Sequence, residues 1–531
     1  MLKKLISVLI SLFFASSVSP GLAAEGADAA VIFSDSSLKT AGSGFEVSGT
    51  DLVITSPGTY VLSGECADGS VTVKKGTSGV TVILSGLSLK SEDGAPITFN
   101  KSTAVTLSAK EGTSNFLFDT EKNNSDSYPD NAAAENAVIK CKDGSNTVIT
   151  GTGCLTVTAN GKNGIKAGES TEEDGEASLT VSDVTLNINA SVNDAINSEC
   201  DLSVKSGTLM ISSGDDAIHS DGTLTIGEKN SSGPKIDISS CYEGLEGANI
   251  NILSGDISIH STDDGINAVN SDLSGYSSSI DISGGNIYVD AERGDGIDSN
   301  GPLTVSGGNL TVFSTSSGAN SPLDSDGGFK ITGGTVLAVG NSSMAQNPVT
   351  GSQNFVTFGS KNSGGSGSPN GKMRPEESGE MMCPENGSRP DGNGESKRPD
   401  NAAAPGKGFS GGFGGNSGGS NLAIKDGDSL SLTSGDEVIF SILAVRGADY
   451  VFYSSPGLSK DETYVFSING EKQSELTISE SLSSSRFPSG GRPEGGNAPE
   501  NNNNNNTANT GSDVTKISIL KILKRFFSFG V

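Results

Sequence analysis

The sequence predicts an all-β fold, a parallel β-helix of about ten coils. A short phrase recurs at intervals of 21 to 31 residues, and between recurrences apolar and polar residues alternate with period two. No stretch of ten or more residues in the repeat has helical periodicity, which excludes βαβ crossovers. The phrase reads NGIKA from Asn163, NDAINS from Asn193, DDAIHS from Asp215, YEGLEG from Tyr242, DDGINA from Asp263, GDGIDS from Gly294 and NSPLDS from Asn320. Its apolar anchors are Ile165, Ile196, Ile218, Leu245, Ile266, Ile297 and Leu323, separated by 31, 22, 27, 21, 31 and 26 residues. The shortest intervals are near the minimum for a coil, and the longer ones carry loop insertions.

The elements follow in chain order. Residues 1–24 have the pattern of a secretory signal: Lys3 and Lys4, an apolar run from Leu5 to Val18 too short to span a bilayer, then small residues to Ala24. Residues 25–65 are read as an N-terminal cap, because an uncovered terminal coil is an open edge. Residues 66–352 are the coils. After Ile297, for example, Leu303-Thr304-Val305, Ser306-Gly307-Gly308 and Leu310-Thr311-Val312 read as strand, corner and strand. Upstream anchors are placed near Val73, Ile97 and Ile139. Ten coils at about 4.8 Å each give a body roughly 50 Å long. Residues 353–420 form a Gly/Pro/Asn-rich linker insertion, and 421–480 a C-terminal β cap. Residues 481–531 are a low-complexity tail, read as disordered. At its end Ile519, Leu520, Leu523, Phe526 and Phe527 share one helical face opposite Lys521, Lys524 and Arg525, a pattern suited to contact with a membrane surface.

Composition excludes several classes. With 63 acidic and 35 basic residues among 531 the net charge is −28, which argues against a nucleic-acid partner. Glycine, 72 residues, is about 14% of the chain and roughly twice the usual share, yet far below the one-third of collagen. The six cysteines are too few for a disulfide scaffold and show no zinc-ligand spacing; an exported chain permits bridges, and no pairing is assigned.

Aligning the anchors sorts the acids into columns. Two residues before each anchor stand Asn163, Asp194, Asp216, Glu243, Asp264, Asp295 and Ser321. One residue after stand Lys166, Asn197, His219, Glu246, Asn267, Asp298 and Asp324. Stacked carboxylates about 4.8 Å apart repel by about 0.9 kcal/mol in water and about 3.5 kcal/mol at an effective dielectric of 20. Asx-turns at corners account for any single Asp. An aligned series calls for a counterion, and calcium, with its six to eight oxygen ligands, suits it better than magnesium. The candidate ligands are Asp194, Asp215, Asp216, Glu243 and Glu246, then Asp263, Asp264, Asp295 and Asp298, continuing to Asp324 and Asp326.

Catalytic groups are scarce. His219 and His260 are the only histidines and read as solvated strand positions. Arg293, Lys162 or Lys166 beside a calcium site could act as the base that removes a C5 proton from a uronate, whereas ion pairing with the acid columns is the simpler account of all three. For stacking against sugar rings there is no Trp. Among the eight Tyr, Tyr242, Tyr276 and Tyr288 lie on the coils, with Tyr288 outward by alternation.

KEGTSNFLFD at 110–119, DGSNTVITGTGCLTVTANGKNGIKA at 143–167, the DDGINA and GDGIDS phrases and YVFYSSPGLSKDETYVF at 450–466 make the chain resemble the bacterial carbohydrate-binding domain-containing protein family. The resemblance covers most of 50–345 and 421–470. It implies a right-handed parallel β-helix similar to polysaccharide lyases, calcium along the coils, binding to plant-type polysaccharide such as cellulose or polygalacturonate, and no established catalysis. By motif the calcium role passes to Asp264, Asp295 and Asp298, and by similarity to Asp194, Asp216 and Asp324. Glu243, Glu246 and Ser321 depart from the Asp-Gly-Ile pattern. The expected function is that of a secreted or cell-surface, calcium-stabilised polysaccharide binder. The alternatives are a calcium-dependent lyase on the same scaffold and a surface structural or adhesion protein.

Overall fold

A computed structural model describes residues 26–269, 277–349, 351–359 and 422–478. The segments read as a signal (1–24) and a linker (353–420, beyond residue 359), and the tail from residue 481, lie outside these residues. The described chain is all-β. It contains no helix, and a 33-stranded, mostly parallel sheet accounts for most of it.

Successive strands join three ladders in turn, so a strand pairs in parallel with the strand about three places further on. The anchor ladder runs from Asp51–Ile54 and Ser70–Val73 through Ile97–Phe99, Ala137–Cys141, Asn163–Ala167 and Ile196–Ser198. It continues through the first parts of Ile218–Ile226 and Leu245–Ile252 to Ile266–Ala268 and Ile297–Ser299. Ile97, Ile139, Ile165, Ile196, Ile218, Leu245, Ile266 and Ile297 are in direct Cα register and completely buried. Upstream, Val71 rather than Val73 is the residue in register with Ile97, and Leu52 precedes it. The anchor ladder therefore begins at Asp51, inside the segment read from sequence as a cap.

The other two ladders have the same construction. Val181, Val204, Ile226, Ile252, Ile282, Val305 and Ile331 align along the second. Leu89, Leu117, Val157, Ile188, Ile211, Ile238, Ile259, Val289 and Val312 align along the third. All of these belong to one buried cluster extending from Ala29 to Phe452. Pleating sends every second side chain inward, so Ile, Val and Leu fill this core while most Thr, Asn and Asp of the strands face out.

Before Ile165, Leu245, Ile266 and Ile297 the residue is glycine, because the next rung passes close to it. A Cβ on Gly296 would lie 2.0 Å from Val312 Cγ1 and 2.6 Å from the Pro322 carbonyl oxygen. Gly296→Ala is therefore expected to destabilise the fold by about 1–3 kcal/mol through overpacking. Urea melts check this: the midpoint falls and the slope is unchanged.

Both ends are closed. Ala29–Phe33 pairs in parallel with Tyr60–Gly64 and antiparallel with Lys39–Gly42. At the other end Tyr450–Ser454 runs antiparallel to Thr335–Gly340 and to Phe355–Phe358. A four-stranded antiparallel sheet of Ser429–Ser434, Glu437–Leu443, Thr463–Ile468 and Glu471–Thr477 adds a second core, which includes Phe313, Leu337, Phe358, Phe440 and Phe466. The five described cysteines, Cys66, Cys141, Cys154, Cys200 and Cys241, are all free thiols.

Candidate metal centre

The corner leading into each anchor strand brings the two acid columns to one edge of the anchor ladder. The position after the anchor is in Cα register from Lys140 through Lys166, Asn197, His219, Glu246 and Asn267 to Asp298. The position two before it is tied rung to rung by its own side chains. Asp194 Oδ1 accepts the Asp216 N–H at 3.2 Å, Asp216 Oδ1 accepts the Glu243 N–H at 3.3 Å, and Asp264 Oδ1 accepts the Asp295 N–H at 2.6 Å; Asp295 Oδ1 accepts from Ser321 N–H. An Asx-turn would bond its own backbone, whereas here each carboxylate bonds the backbone of the following rung. This fixes one oxygen of each carboxylate and leaves the other to face the second column.

The columns divide into two centres. In the first, Asp194, Asp216 and His219 bring ligand atoms within 4.8 Å of one another, as do Asp216, Glu243 and Glu246. Asp194 Oδ2 accepts from Asn197 Nδ2 at 2.6 Å. His219 Nδ1 lies 2.6 Å from Glu246 Oε2 and 3.4 Å from Asp216 Oδ2, and its Nε2 is 2.8 Å from Asp221 Oδ1. His219 is thus surrounded by carboxylates rather than solvated. Sequence reading placed it in the right column but missed this role; the signal was its stacking between Asn197 and Glu246.

Burial is the largest influence on these carboxyls. It raises Asp194 to about 7, with the Asp216 charge adding to it. Burial also raises Asp216 to about 6, and burial with the Glu246 charge raises Glu243 to about 9. Asp215 is raised by burial and by Asp216. Burial opposes ionisation of both His219 and Glu246, but their mutual hydrogen bond and those to Asp216 outweigh it. The imidazole is held well above its usual value and Glu246 below its own.

The second centre is a looser row of Asp263, Asp264, Asp295, Asp298, Asp324 and Asp326; among the described residues, only the first centre brings three ligand atoms within 4.8 Å of one another. Burial, reinforced by neighbouring carboxylates, raises Asp264 and Asp295 to about 7 and Asp298 to about 6. Among the described residues no Lys, Arg or His forms an ion pair with Asp264, Asp295, Asp298 or Asp324. Asp324 Oδ1 accepts from Gln346 Nε2 and from Ser325 N–H, and Asp326 is exposed. Asn267, between Glu246 and Asp298 in the column, donates to Glu243 Oε2 at 2.8 Å, while its own Oδ1 is buried without a partner.

The candidate bases have other partners, although Lys166 itself stands in the second column. Lys162 pairs with Asp126 at 2.6 Å and Lys166 with Glu199 at 3.0 Å; Arg293 is 77% exposed and lies 3.7 Å from Glu292. The cations expected against the acid columns find these carboxylates outside them. His260 Nδ1 is 3.2 Å from Asp290 Oδ2, and Asp290 also pairs with Arg446.

Tyr288 differs from its expected role. Alternation does turn it outward, but the ring tilts against Phe313 and His260 and packs beneath the second core, so it offers no free face. Burial, with the Asp290 charge, holds its hydroxyl far above the usual phenol range. Tyr242 is 46% exposed at the rim of the first centre, where its hydroxyl bonds Asp263 and is pushed up to about 12. Tyr276 lies outside the described residues.

Ladders of this kind, with acids aligned along one edge, define an all-β, mostly parallel-sheet protein. The chain matches the carbohydrate-binding domain-containing protein family over residues 48–230 and 224–354, and it belongs to that family. A protein of the same description from Acetivibrio thermocellus is 35% identical over 123 residues, which are 23% of this chain and 42% of that relative's length. The chain therefore matches less than half of that relative. Among solved structures, a polysaccharide lyase-like protein from C. thermocellum, determined as a gadolinium derivative, is 22% identical. The likeness covers 59% of this chain and 96% of that one, with a TM-score of 0.33.

Proposed function

We propose that the chain is a secreted polysaccharide-binding protein, that its three ladders wind as a right-handed parallel β-helix, and that calcium held in the acid columns stiffens the coils and bridges to acidic polysaccharide. The observation that carries this reading is the second centre. Asp264 and Asp295 in one column and Asp298 in the other have no protein cation, and Asn267, in register with Asp298, has an orphaned amide oxygen.

The donor set fits calcium. It consists of carboxylate and amide oxygens, the hard ligands that calcium takes six to eight at a time. Asp264, Asp295, Asp298 and Asp324 would hold the ion in the second centre, and Asp194, Asp216, Glu243 and Glu246 in the first. Bound there, calcium supplies positive charge that a uronate carboxylate can share. The protein's own part is positional: Asp194, Asp216, Asp264 and Asp295 are each oriented by an N–H of the following rung, so these ligand oxygens are in place before the ion arrives.

Binding rather than lyase chemistry is favoured because the candidate bases Lys162, Lys166 and Arg293 pair outside the columns. Retention on insoluble polygalacturonate, with elution by a chelator and no product absorbing in the near ultraviolet, is the expected result. Appearance of unsaturated product would establish the lyase instead. Absence of retention on both polygalacturonate and cellulose would refute polysaccharide binding.

A further inference from the structure

The third ladder has an outward face quite unlike the acid edge. On the strand Ser114–Phe118 the inward residues are Asn115 and Leu117, so Phe116 and Phe118 both stand on the outer face, half-buried. Their rings are parallel to within 4°, with centroids 6.2 Å apart. On the next rung Thr156 and Thr158 are in register with them, and on the rung after that Asn187 and Asn189. Met210, 46% exposed, continues the Phe116 column.

Charge is what sets this face apart. From Ser114–Phe118 to Thr208–Ser213 its outward positions are Ser, Phe, Cys, Thr, Asn and Met; the flanking rungs end this uncharged stretch with Lys90, in register with Phe118 and paired with Glu92, and with Asp237, in register with Met210. Four rungs at about 4.8 Å make a strip on the order of 14 Å long. In a chain of net charge −28, four rungs without a charged side chain, carrying two parallel aromatic rings, favour an uncharged ligand. Burying two Phe rings halfway on a solvent-facing sheet costs exposed apolar area, which a flat C–H-rich ligand would remove from water.

We infer that Phe116 and Phe118 form a stacking platform for the pyranose rings of an uncharged polysaccharide, with Thr156, Thr158 and Asn187 as hydrogen-bonding partners for its hydroxyls. The centroid separation is comparable to the length of one sugar residue along a glycan, so neighbouring rings of one chain can each meet a Phe. This subsite rests on the polysaccharide-binding reading but is separate from the acid columns and needs no cation.

The test compares wild type, Phe116→Ala/Phe118→Ala and Thr156→Lys for retention on insoluble cellulose and on polygalacturonate, with and without calcium. Thr156→Lys brings a charge beside the rings while leaving the Phe side chains in place, so it guards against a folding defect in the double variant. Both variants are expected to lose about tenfold or more of the affinity for cellulose. Their retention on polygalacturonate and their calcium-dependent melting shift should match wild type. Wild-type retention on cellulose that survives both variants overturns the platform, as does a wild type that binds polygalacturonate only. Retention of neither polymer by wild type overturns the polysaccharide reading along with the platform.

Discussion

Replacing Asp295 by Asn is expected to stabilise the calcium-free protein and to remove most of its response to calcium. Asp295 is buried, without a protein cation, near the charges of Asp264, Asp298 and Asp324, and its Oδ1 accepts the Ser321 N–H. Asparagine keeps that oxygen and nearly the same volume but carries no charge. Without calcium, the like-charge repulsion along the stack is relieved by on the order of 1 kcal/mol, which raises Tm by about 1–3 °C for a chain of this length. With calcium the sign reverses, because the site has lost a charged ligand and the ion binds about tenfold or more weakly. Thermal melts of both proteins, with chelator and with saturating calcium, should therefore cross. A variant destabilised equally in both conditions would mean that Asp295 is only a corner residue.

The second large effect is on pH dependence. Asp194, Asp264 and Asp295 are raised to about 7, Asp216 and Asp298 to about 6, and Glu243 to about 9, and His219 is also raised. Each of these groups binds a proton more tightly folded than unfolded. Their contribution to stability is complete below the unfolded carboxyl values near 4 and is lost as pH rises through 6 to 9. Glu246, lowered by its hydrogen bonds, acts in the opposite direction and is outnumbered. The calcium-free protein is expected to melt at a lower temperature at pH 8 than at pH 5. Calcium competes with those protons, so its stabilisation grows over the same interval and flattens or inverts the slope. Chemical denaturation at pH 5, 6.5 and 8 with and without calcium checks both parts.

Much of the ladder architecture was legible because side-chain period and burial are tied. Ile165, Ile196, Ile218, Leu245, Ile266 and Ile297 could be aligned by eye, and they fall into register without a shift. The substitution of Val71 for Val73 came from a coil with no Asp-Gly corner to fix its phase. The site was legible in part. Alternation showed which positions share an edge, but it carried no information on which oxygen meets which N–H. The bonding of Asp194 to the Asp216 backbone and of Asp264 to the Asp295 backbone was therefore not legible in the sequence. Tyr288 was lost as a platform because a contact with Phe313 and the second core is tertiary, and strand periodicity cannot announce it. His219 was underestimated for a related reason: Asp221 and Glu246 reach it from its own rung and the next, so its environment exists only once the rungs are stacked.

The central claim is that the columns are cation sites. The most direct measurement is a melt of the wild-type chain at pH 7.5 in chelator, then in millimolar calcium, with magnesium at the same concentration as the control. A rise of several degrees that is specific to calcium and reversed by chelator is the predicted result. Superimposable curves in all three conditions would contradict it.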